Sequence, residues 1–255
     1  MIRNSMLTAN RLWEAVRGEA ESAFSRDPSF GSRLTRAILD HADLGSAVAH
    51  QIGERLGNSA DDRVQFARIA CEAHRAAPDL VEAASRDLQS IAVDDPAVTG
   101  FLPPLVNYKG YVALQAWRVS NWLWLQDRTD LARLLQSLSS DTLQVSIHPS
   151  ASIGTSVFLD HATGIIVGAW AVVGDEVTIL QNVTVGRKQA MPGRAPGIGR
   201  GVLLSSGASV LGDITIGDFA KIGAGSVVEH DVPAGCTAIG VPARLTNCPE
   251  PALPV

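Results

Sequence analysis

The first 140 residues carry apolar positions at three- and four-residue spacing, which is the period of an amphipathic helix. The pattern is clear in "RLWEAVRGEAESAF" and in "TRAILDHADLGSAVAHQIGERL". Stretches that contain proline or glycine, such as "RDPSFGS", "AAPD" and "DDPA", separate these segments and indicate turns. We therefore predict an all-helical domain of six or more helices over residues 1–140.

After residue 146 the helical period gives way to a six-residue one. Branched aliphatic residues recur six apart in three runs, and glycine directly follows many of them: Ile147, Ile153, Leu159; Val167, Val173, Ile179, Val185; and Ile198, Leu204, Val210, Ile216, Ile222, Val228. Each hexad supplies one short strand and one turn, with the aliphatic side chain pointing inward. Three hexads close a triangular coil, and stacked coils bury a continuous column, so the repeat predicts a parallel β-solenoid.

The six-residue phase is lost between Val185 and Ile198. The intervening "GRKQAMPGRAPG" has the glycine, proline and basic residues of a loop that leaves the column. Binding groups are often carried by loops on a rigid scaffold. This loop is therefore a candidate for part of a functional site.

Composition and charge exclude some classes of partner. The chain is 46% apolar and 18% charged, with a net charge of −5, whereas nucleic acid or an anionic membrane would require a basic face. No run of about 18 apolar residues and no signal peptide is visible, so we expect a cytoplasmic protein. The three cysteines, Cys71, Cys236 and Cys248, have neither metal-ligand nor redox spacing, and we expect thiols.

Several motifs together resemble one enzyme family. The helical half contains "DDPAV", "KGYVALQAWR" and "NWLW", and the repeat half contains "IHPSASIG", "LDHATGIIVG", "ILQNVTVG" and "GVPAR". In this order, over nearly the whole chain, they resemble the serine acetyltransferases of cysteine biosynthesis. The resemblance implies an α+β fold in which a left-handed parallel β-helix follows the helical domain. It also implies trimers through the β-helix, paired into hexamers by the helical domains, with acetyl-CoA in a cleft between neighbouring prisms.

The resemblance divides the chain into a helical oligomerisation domain over 1–140, an acyltransferase domain over 141–248 and a short tail over 249–255. Relatives often end in a tail with a terminal isoleucine that inserts into O-acetylserine sulfhydrylase. Here the tail reads "PEPALPV" and ends in Val255. The resemblance therefore does not extend to binding of that partner.

The resemblance also implies roles for individual residues. His161 stands where the family has the general base that takes the proton from the acceptor hydroxyl. Asp95 and Asp160 match carboxylates that contact the acceptor's amino group, and Arg194 matches an arginine that binds its carboxylate. Taken alone, Asp95 could instead cap a helix that begins at Pro96, and Arg194 could be a solvated loop charge.

Acetyl-CoA contacts are implied along the cleft, where small residues let the pantetheine arm approach the backbone. The matching positions are Gly186, Ser206, Lys221 and Ala224. No metal is expected, because the histidines of the solenoid include no closely spaced pair of ligands. His148 is more consistent with packing at a turn.

The sequence departs from the family pattern at several positions. "DIHP" reads "SIHP", so Ser146 replaces the aspartate that orients the catalytic histidine, and "RHP" reads "RAP", so Ala195 replaces a histidine. The remaining departures are Ala169 and Trp170 for "ET", Arg187 for a glycine, and Val112 for a histidine. A carboxylate behind a catalytic histidine is worth about 10⁴ in rate in serine proteases.

Two hypotheses follow from these departures. The first is an acetyl-CoA-dependent O-acetyltransferase that acts on serine or on a bulkier hydroxy amino acid, since Ala195 removes bulk beside the acceptor. The second is a catalytically impaired homologue with an assembly or regulatory role. Loss of the orienting aspartate favours the second, and survival of Asp95, Asp160, His161 and Arg194 favours the first.

Overall fold

The structure is a computed structural model that describes residues 6–188 and 193–249. It divides into two compact units, Met1–Leu143 and Gln144–Val255. The boundary expected after residue 140 falls within the last helix, which ends at Leu143. Most of the expected tail, residues 250–255 including Val255, lies outside the described residues.

Over its described residues, 6–143, the first unit contains eight α-helices: α1 Ala9–Arg26, α2 Gly31–Leu34, α3 Leu44–Leu56, α4 Ala60–Ala76, α5 Asp79–Asp94, α6 Leu102–Asn107, α7 Lys109–Leu125 and α8 Thr129–Leu143. A 3₁₀ turn at Pro28–Phe30 and a π turn at Thr35–Leu39 flank α2. Capping boxes begin α3 at Asp43 and α4 at Ser59, where each side chain satisfies a backbone N–H of the first turn. The prediction of an all-helical domain is confirmed.

Helix α7 forms the centre of this unit and packs against α3, α4, α5, α6 and α8. It is buried along most of its length, and its polar residues are paired inside the core. Asp87 of α5 is fully buried, and its Oδ2 accepts hydrogen bonds from Arg118 Nη2 at 2.7 Å and from Gln115 Nε2 at 3.0 Å. A buried charge of this kind is tolerated because it is paired and hydrogen-bonded.

The second unit is a left-handed parallel β-helix of about four coils, as predicted. Its strands are β1 Val145–Ile147, β2 Ser152–Ile153, β3 Phe158–Leu159, β4 Ile165–Val167, β5 Val172–Val173, β6 Thr178–Ile179, β7 Thr184–Gly186, β8 Gly197–Ile198, β9 Leu203–Leu204, β10 Ser209–Leu211, β11 Thr215–Ile216, β12 Lys221–Ile222, β13 Val227–Val228, β14 Thr237–Gly240 and β15 Ala243–Thr246. The antiparallel hairpin β14–β15 follows the last coil.

The strands form the three faces of a prism. Sheet 1 has the order β1-β4-β7-β10-β13, sheet 2 the order β2-β5-β8-β11, and sheet 3 the order β3-β6-β9-β12-β14-β15. All thirteen aliphatic residues of the hexad pattern are buried, none more than 8% exposed. The six-residue period therefore identified the inward positions correctly, because each face contributes one inward aliphatic residue per coil.

Two edges of the prism are important for the site. We call the turns between sheets 3 and 1 the His161 edge, because His161 lies in the first of them. We call the turns between sheets 1 and 2 the Arg194 edge, because the loop with Arg194 connects β7 to β8 there. Backbone turns with positive φ recur along both edges, including 55° at His161 and 63° at Trp170.

The expectation of three thiols is wrong for two of the cysteines. Cys236 and Cys248 form a disulfide across a separation of 12 residues, and Cys71 is free. No spacing along the chain indicates this pairing, because Cys248 meets Cys236 only after the hairpin β14–β15 turns the chain back.

Candidate active site

His161 lies at an exposed turn directly after β3. Its side chain is 75% exposed, and its Nε2 is 3.8 Å from Asp160 Oδ1, while Asp160 is only 28% exposed. That separation allows an ion pair but is too long for a hydrogen bond. An exposed imidazole is accessible to a bound hydroxyl and can accept its proton.

The turns of the His161 edge stack on one another through backbone hydrogen bonds. Asn182 N donates to Thr163 O at 2.7 Å, Gly207 N donates to Gln181 O at 2.9 Å, and Gly225 N donates to Ser206 O at 2.9 Å. Successive coils are about 4.8 Å apart, so the His161 turn and the turn of the fourth coil are separated by about 14 Å. The edge is thus a straight row of turns.

Three residues expected to contact acetyl-CoA lie along this same edge or lead into it. Ser206 is half-buried in the third turn, Ala224 is exposed in the fourth, and Lys221 is exposed on β12, the strand before that turn. Because these positions and His161 share one edge, an extended ligand along the edge would reach all of them.

Ser146 and Gly186 occupy sheet 1. Ser146 is the central residue of β1, half-buried, and pairs with Ile166 of β4. Gly186 ends β7, and its carbonyl accepts from Gly212 N at 3.0 Å. A Cβ added at Gly186 would meet only Thr184 Cγ2, at 3.9 Å. Packing within the chain therefore does not require glycine there.

Arg194 and Ala195 lie on the other edge. Arg194 is 64% exposed, and its Nε is 3.8 Å from Asp213 Oδ2. It lines a pocket of about 230 Å³ together with Lys188, Asp213 and Glu229. The width of sheet 1 separates this edge from His161, so the structure does not bring Arg194 and His161 together within one chain. Residues 189–192 of the same loop lie outside the described residues.

Asp95 belongs to the helical unit and follows the last residue of α5. Its Oδ1 accepts from Ala97 N at 2.8 Å, and its Oδ2 accepts from Tyr108 Oη at 3.0 Å. No helix begins at Pro96, so the alternative in which Asp95 caps the N-terminus of such a helix is wrong. The Asp95 side chain instead holds the turn that follows α5. Sequence reasoning missed Tyr108, because it lies 13 residues away with no local pattern that connects the two.

Metal-binding groups and membrane-spanning helices are both absent from the described residues. Within residues 6–188 and 193–249, no group of three or more His, Cys, Asp or Glu side chains could hold a metal ion. In those same residues no helix is long and apolar enough to cross a membrane.

Comparison with known proteins gives the class of fold and of enzyme. Residues 12–116 match the family model described as "Serine acetyltransferase, N-terminal", and residues 195–230 match "Bacterial transferase hexapeptide (six repeats)". The chain is 42% identical over 240 residues to the serine acetyltransferase of Escherichia coli (strain K12), covering 94% of this chain and 88% of that protein.

Solved structures agree. Soybean serine acetyltransferase complexed with serine superposes with a TM-score of 0.90 at 40% identity, covering 93% of this chain and 98% of that one. Serine acetyltransferase from Brucella abortus strain S19 in complex with coenzyme A gives 0.90 at 42% identity, with coverage of 92% and 95%. The fold and both halves of the sequence thus define a hexapeptide-repeat acyltransferase. The chain belongs to the serine acetyltransferase family.

Proposed function

We propose that this protein transfers the acetyl group of acetyl-CoA to the hydroxyl of serine or of a closely related hydroxy amino acid. The observation that carries the proposal is the exposed His161 beside Asp160, on the same edge as Ser206 and Ala224. Membership of the family supports it, since relatives have been solved with serine and with coenzyme A.

In the proposed reaction, His161 takes the proton of the acceptor hydroxyl as its oxygen attacks the thioester carbonyl. The carbon–sulfur bond then breaks, the thiolate of CoA receives the proton back from the imidazolium, and the O-acetyl amino acid is released. An alcohol near its ordinary pKa is a poor nucleophile, so removal of its proton is the step that needs a base. Ser146, in place of an aspartate, offers a neutral hydrogen-bond partner that cannot offset the imidazolium charge.

The acceptor is held by its charged groups. We assign Asp160 and Asp95 to the ammonium group, and the loop that carries Arg194 and Ala195 to the carboxylate end. A fixed amino-acid backbone aligns the side-chain oxygen with the thioester, which lowers the entropic part of the barrier. The acetyl-CoA arm lies along the His161 edge and passes Gly186, Ser206, Lys221 and Ala224.

A complete site then requires more than one chain, since His161 and Arg194 lie on different edges of one prism. We propose a trimer in which the His161 edge of one copy faces the Arg194 edge of the next, and a hexamer formed through the helical units. A cytoplasmic location is part of the same proposal. Binding of O-acetylserine sulfhydrylase is not included, because the residues that would mediate it lie outside the described part of the chain.

The test is thiol release from acetyl-CoA, followed by absorbance, with serine, homoserine and threonine as acceptors and His161→Ala as the matched variant. His161 is mostly exposed, so its removal leaves the buried column intact. We expect turnover with at least one acceptor and a loss of about 10²-fold or more in His161→Ala. Equal turnover in the two proteins would contradict the role of His161 as the base. No turnover with any acceptor would contradict the proposed function and support the catalytically impaired homologue.

A further inference from the structure

Arg187 lies directly after β7 at the Arg194 edge, where its guanidinium stacks on an indole ring. Its Cζ is 4.8 Å from the centroid of the Trp170 ring, and the Arg187 residue is half-buried. The Trp170 backbone adopts φ 63° and its N–H donates to Ser150 Oγ at 3.3 Å, while the residue as a whole is 40% exposed. Stacking on a ring face is favourable for a guanidinium and restricts its orientation.

The other two cations of this loop region already have carboxylate partners. Lys188 Nζ is 2.9 Å from Glu229 Oε1, and Arg194 Nε is 3.8 Å from Asp213 Oδ2. No carboxylate of residues 6–188 or 193–249 lies within 4.0 Å of the Arg187 guanidinium. Arg187 therefore presents a positive charge beside an aromatic ring, with no carboxylate partner among the described residues, and its guanidinium N–H donors match the geometry of a carboxylate.

The position of this pair relates it to the acceptor end of the proposed site. Val172 of β5 pairs with Gly197 of β8, and Val172 N donates to Pro196 O at 3.0 Å. Counting back two residues along both strands sets the Trp170 turn beside Ala195 in the next coil. The stacked pair thus borders the same end of the loop that carries Arg194.

We propose that Arg187, held on Trp170, is the principal group that binds the carboxylate of the amino-acid acceptor, and that Arg194 has the smaller share. This inference rests on the proposed function. A half-buried, pre-oriented fork loses less conformational entropy on forming a bidentate pair and is screened less by salt than an exposed side chain. Arg194 is 64% exposed, and its Nε lies 3.8 Å from the competing carboxylate of Asp213.

The experiment measures the KM for serine and for acetyl-CoA in Arg187→Gln, Arg187→Lys and Arg194→Gln. Serinamide, which lacks the carboxylate, is the second acceptor. Arg200→Gln is the matched control, because Arg200 also lies over an aromatic ring, that of Phe219 at 6.0 Å, but pairs with Glu176 between sheets 2 and 3.

For Arg187→Gln we expect the KM for serine to rise about tenfold to a hundredfold, the range for a lost charged hydrogen-bonded pair. The KM for acetyl-CoA and the KM for serinamide should not change. Arg187→Lys should fall between wild type and Arg187→Gln, since it keeps the charge but loses the fork. Arg194→Gln should raise the KM for serine less than Arg187→Gln does, and Arg200→Gln should match wild type.

An unchanged KM for serine in Arg187→Gln, or a larger rise in Arg194→Gln, would overturn the inference while leaving the proposed function in place. Calorimetric titration of serine into the CoA-saturated protein distinguishes failure of the inference from failure of the proposed function. If the wild type binds serine without turning it over, and Arg187→Gln binds serine more weakly, the inference is supported and the proposed function is rejected. A wild-type protein that neither binds serine nor turns over would overturn both.

Discussion

Replacement of Asp87 should destabilise the helical unit more than any exposed ion pair could. Asp87 is 0% exposed and Arg118 is 6% exposed. Oδ2 of Asp87 accepts from Arg118 Nη2 at 2.7 Å, from Arg118 Nε at 3.0 Å and from Gln115 Nε2 at 3.0 Å. Asp87→Ala leaves a buried guanidinium without its counter-ion, which costs about 3–5 kcal/mol of unfolding free energy.

The assay is urea unfolding followed by far-ultraviolet circular dichroism, a signal to which the helical unit contributes most. All variants are compared at one fixed protein concentration, because assembly also contributes to stability. Asp130→Asn is the control, since Asp130 is fully exposed and 3.9 Å from Arg133; no measurable change is expected there.

A double variant separates the charge from the packing. In Asp87→Leu with Arg118→Met both charges are replaced by apolar side chains of similar size, and most of the lost stability should return. If Asp87→Ala stays within about 1 kcal/mol of wild type, the view that this pair holds α5 against α7 is wrong.

Three further predictions concern the site, the cysteines and the pH dependence of stability. If Ser146 holds the orienting position implied by the family resemblance, Ser146→Asp should raise kcat at least about tenfold, within the ~10⁴ that such a carboxylate contributes elsewhere. No gain in kcat, or a gain that persists when His161→Ala is added, would contradict this role of Ser146. Denatured protein should titrate one thiol before reduction and three after it, since Cys236 and Cys248 are paired; three thiols before reduction would show the pair to be reduced. Burial lowers the pKa of His74 below its ordinary value of 6.5, against a smaller opposing effect of the Gly45 carbonyl that accepts from its ring. Folding therefore favours the neutral form of His74, so the free energy of unfolding should be greatest above pH 6.5 and should decrease below it. Urea unfolding at pH 7 and pH 5.5 measures this decrease, which should be smaller in His74→Gln than in wild type.

The solenoid could be predicted from the sequence because its physical rule is local and repeats. One inward aliphatic residue every six positions is enough to identify Ile179 and Ile222, both fully buried, without knowledge of the neighbouring coils. The helical unit was predictable in class but less so in detail. Helix α7 is buried on most of its surface, so its apolar residues do not form one stripe with a polar face opposite.

Contacts between coils could not be predicted in the same way. Trp170 and Arg187 are 17 residues apart, about one coil, and no pattern of neighbours along the chain indicates their stacking. The contact between Tyr108 and Asp95 joins the start of α7 to the end of α5 and depends on how the helices pack. Such contacts are set by tertiary geometry, which a period alone does not determine.

The departures from the family pattern are better understood by their place in the fold than by their number. Val112 is 1% exposed inside the helical core, where an apolar side chain packs well, so that change concerns packing rather than chemistry. Trp170 and Arg187 are in contact, and strand register sets Ala195 beside them, so three changes that are far apart in sequence form one local reorganisation at the Arg194 edge. Of the two that remain, Ala169 directly precedes Trp170 in the same turn, and Ser146 is the change that bears on the proposed base. Under the proposed function, the changes at the Arg194 edge concern the acceptor end and Ser146 concerns the base, so the KM for serine and kcat test the two kinds of change separately.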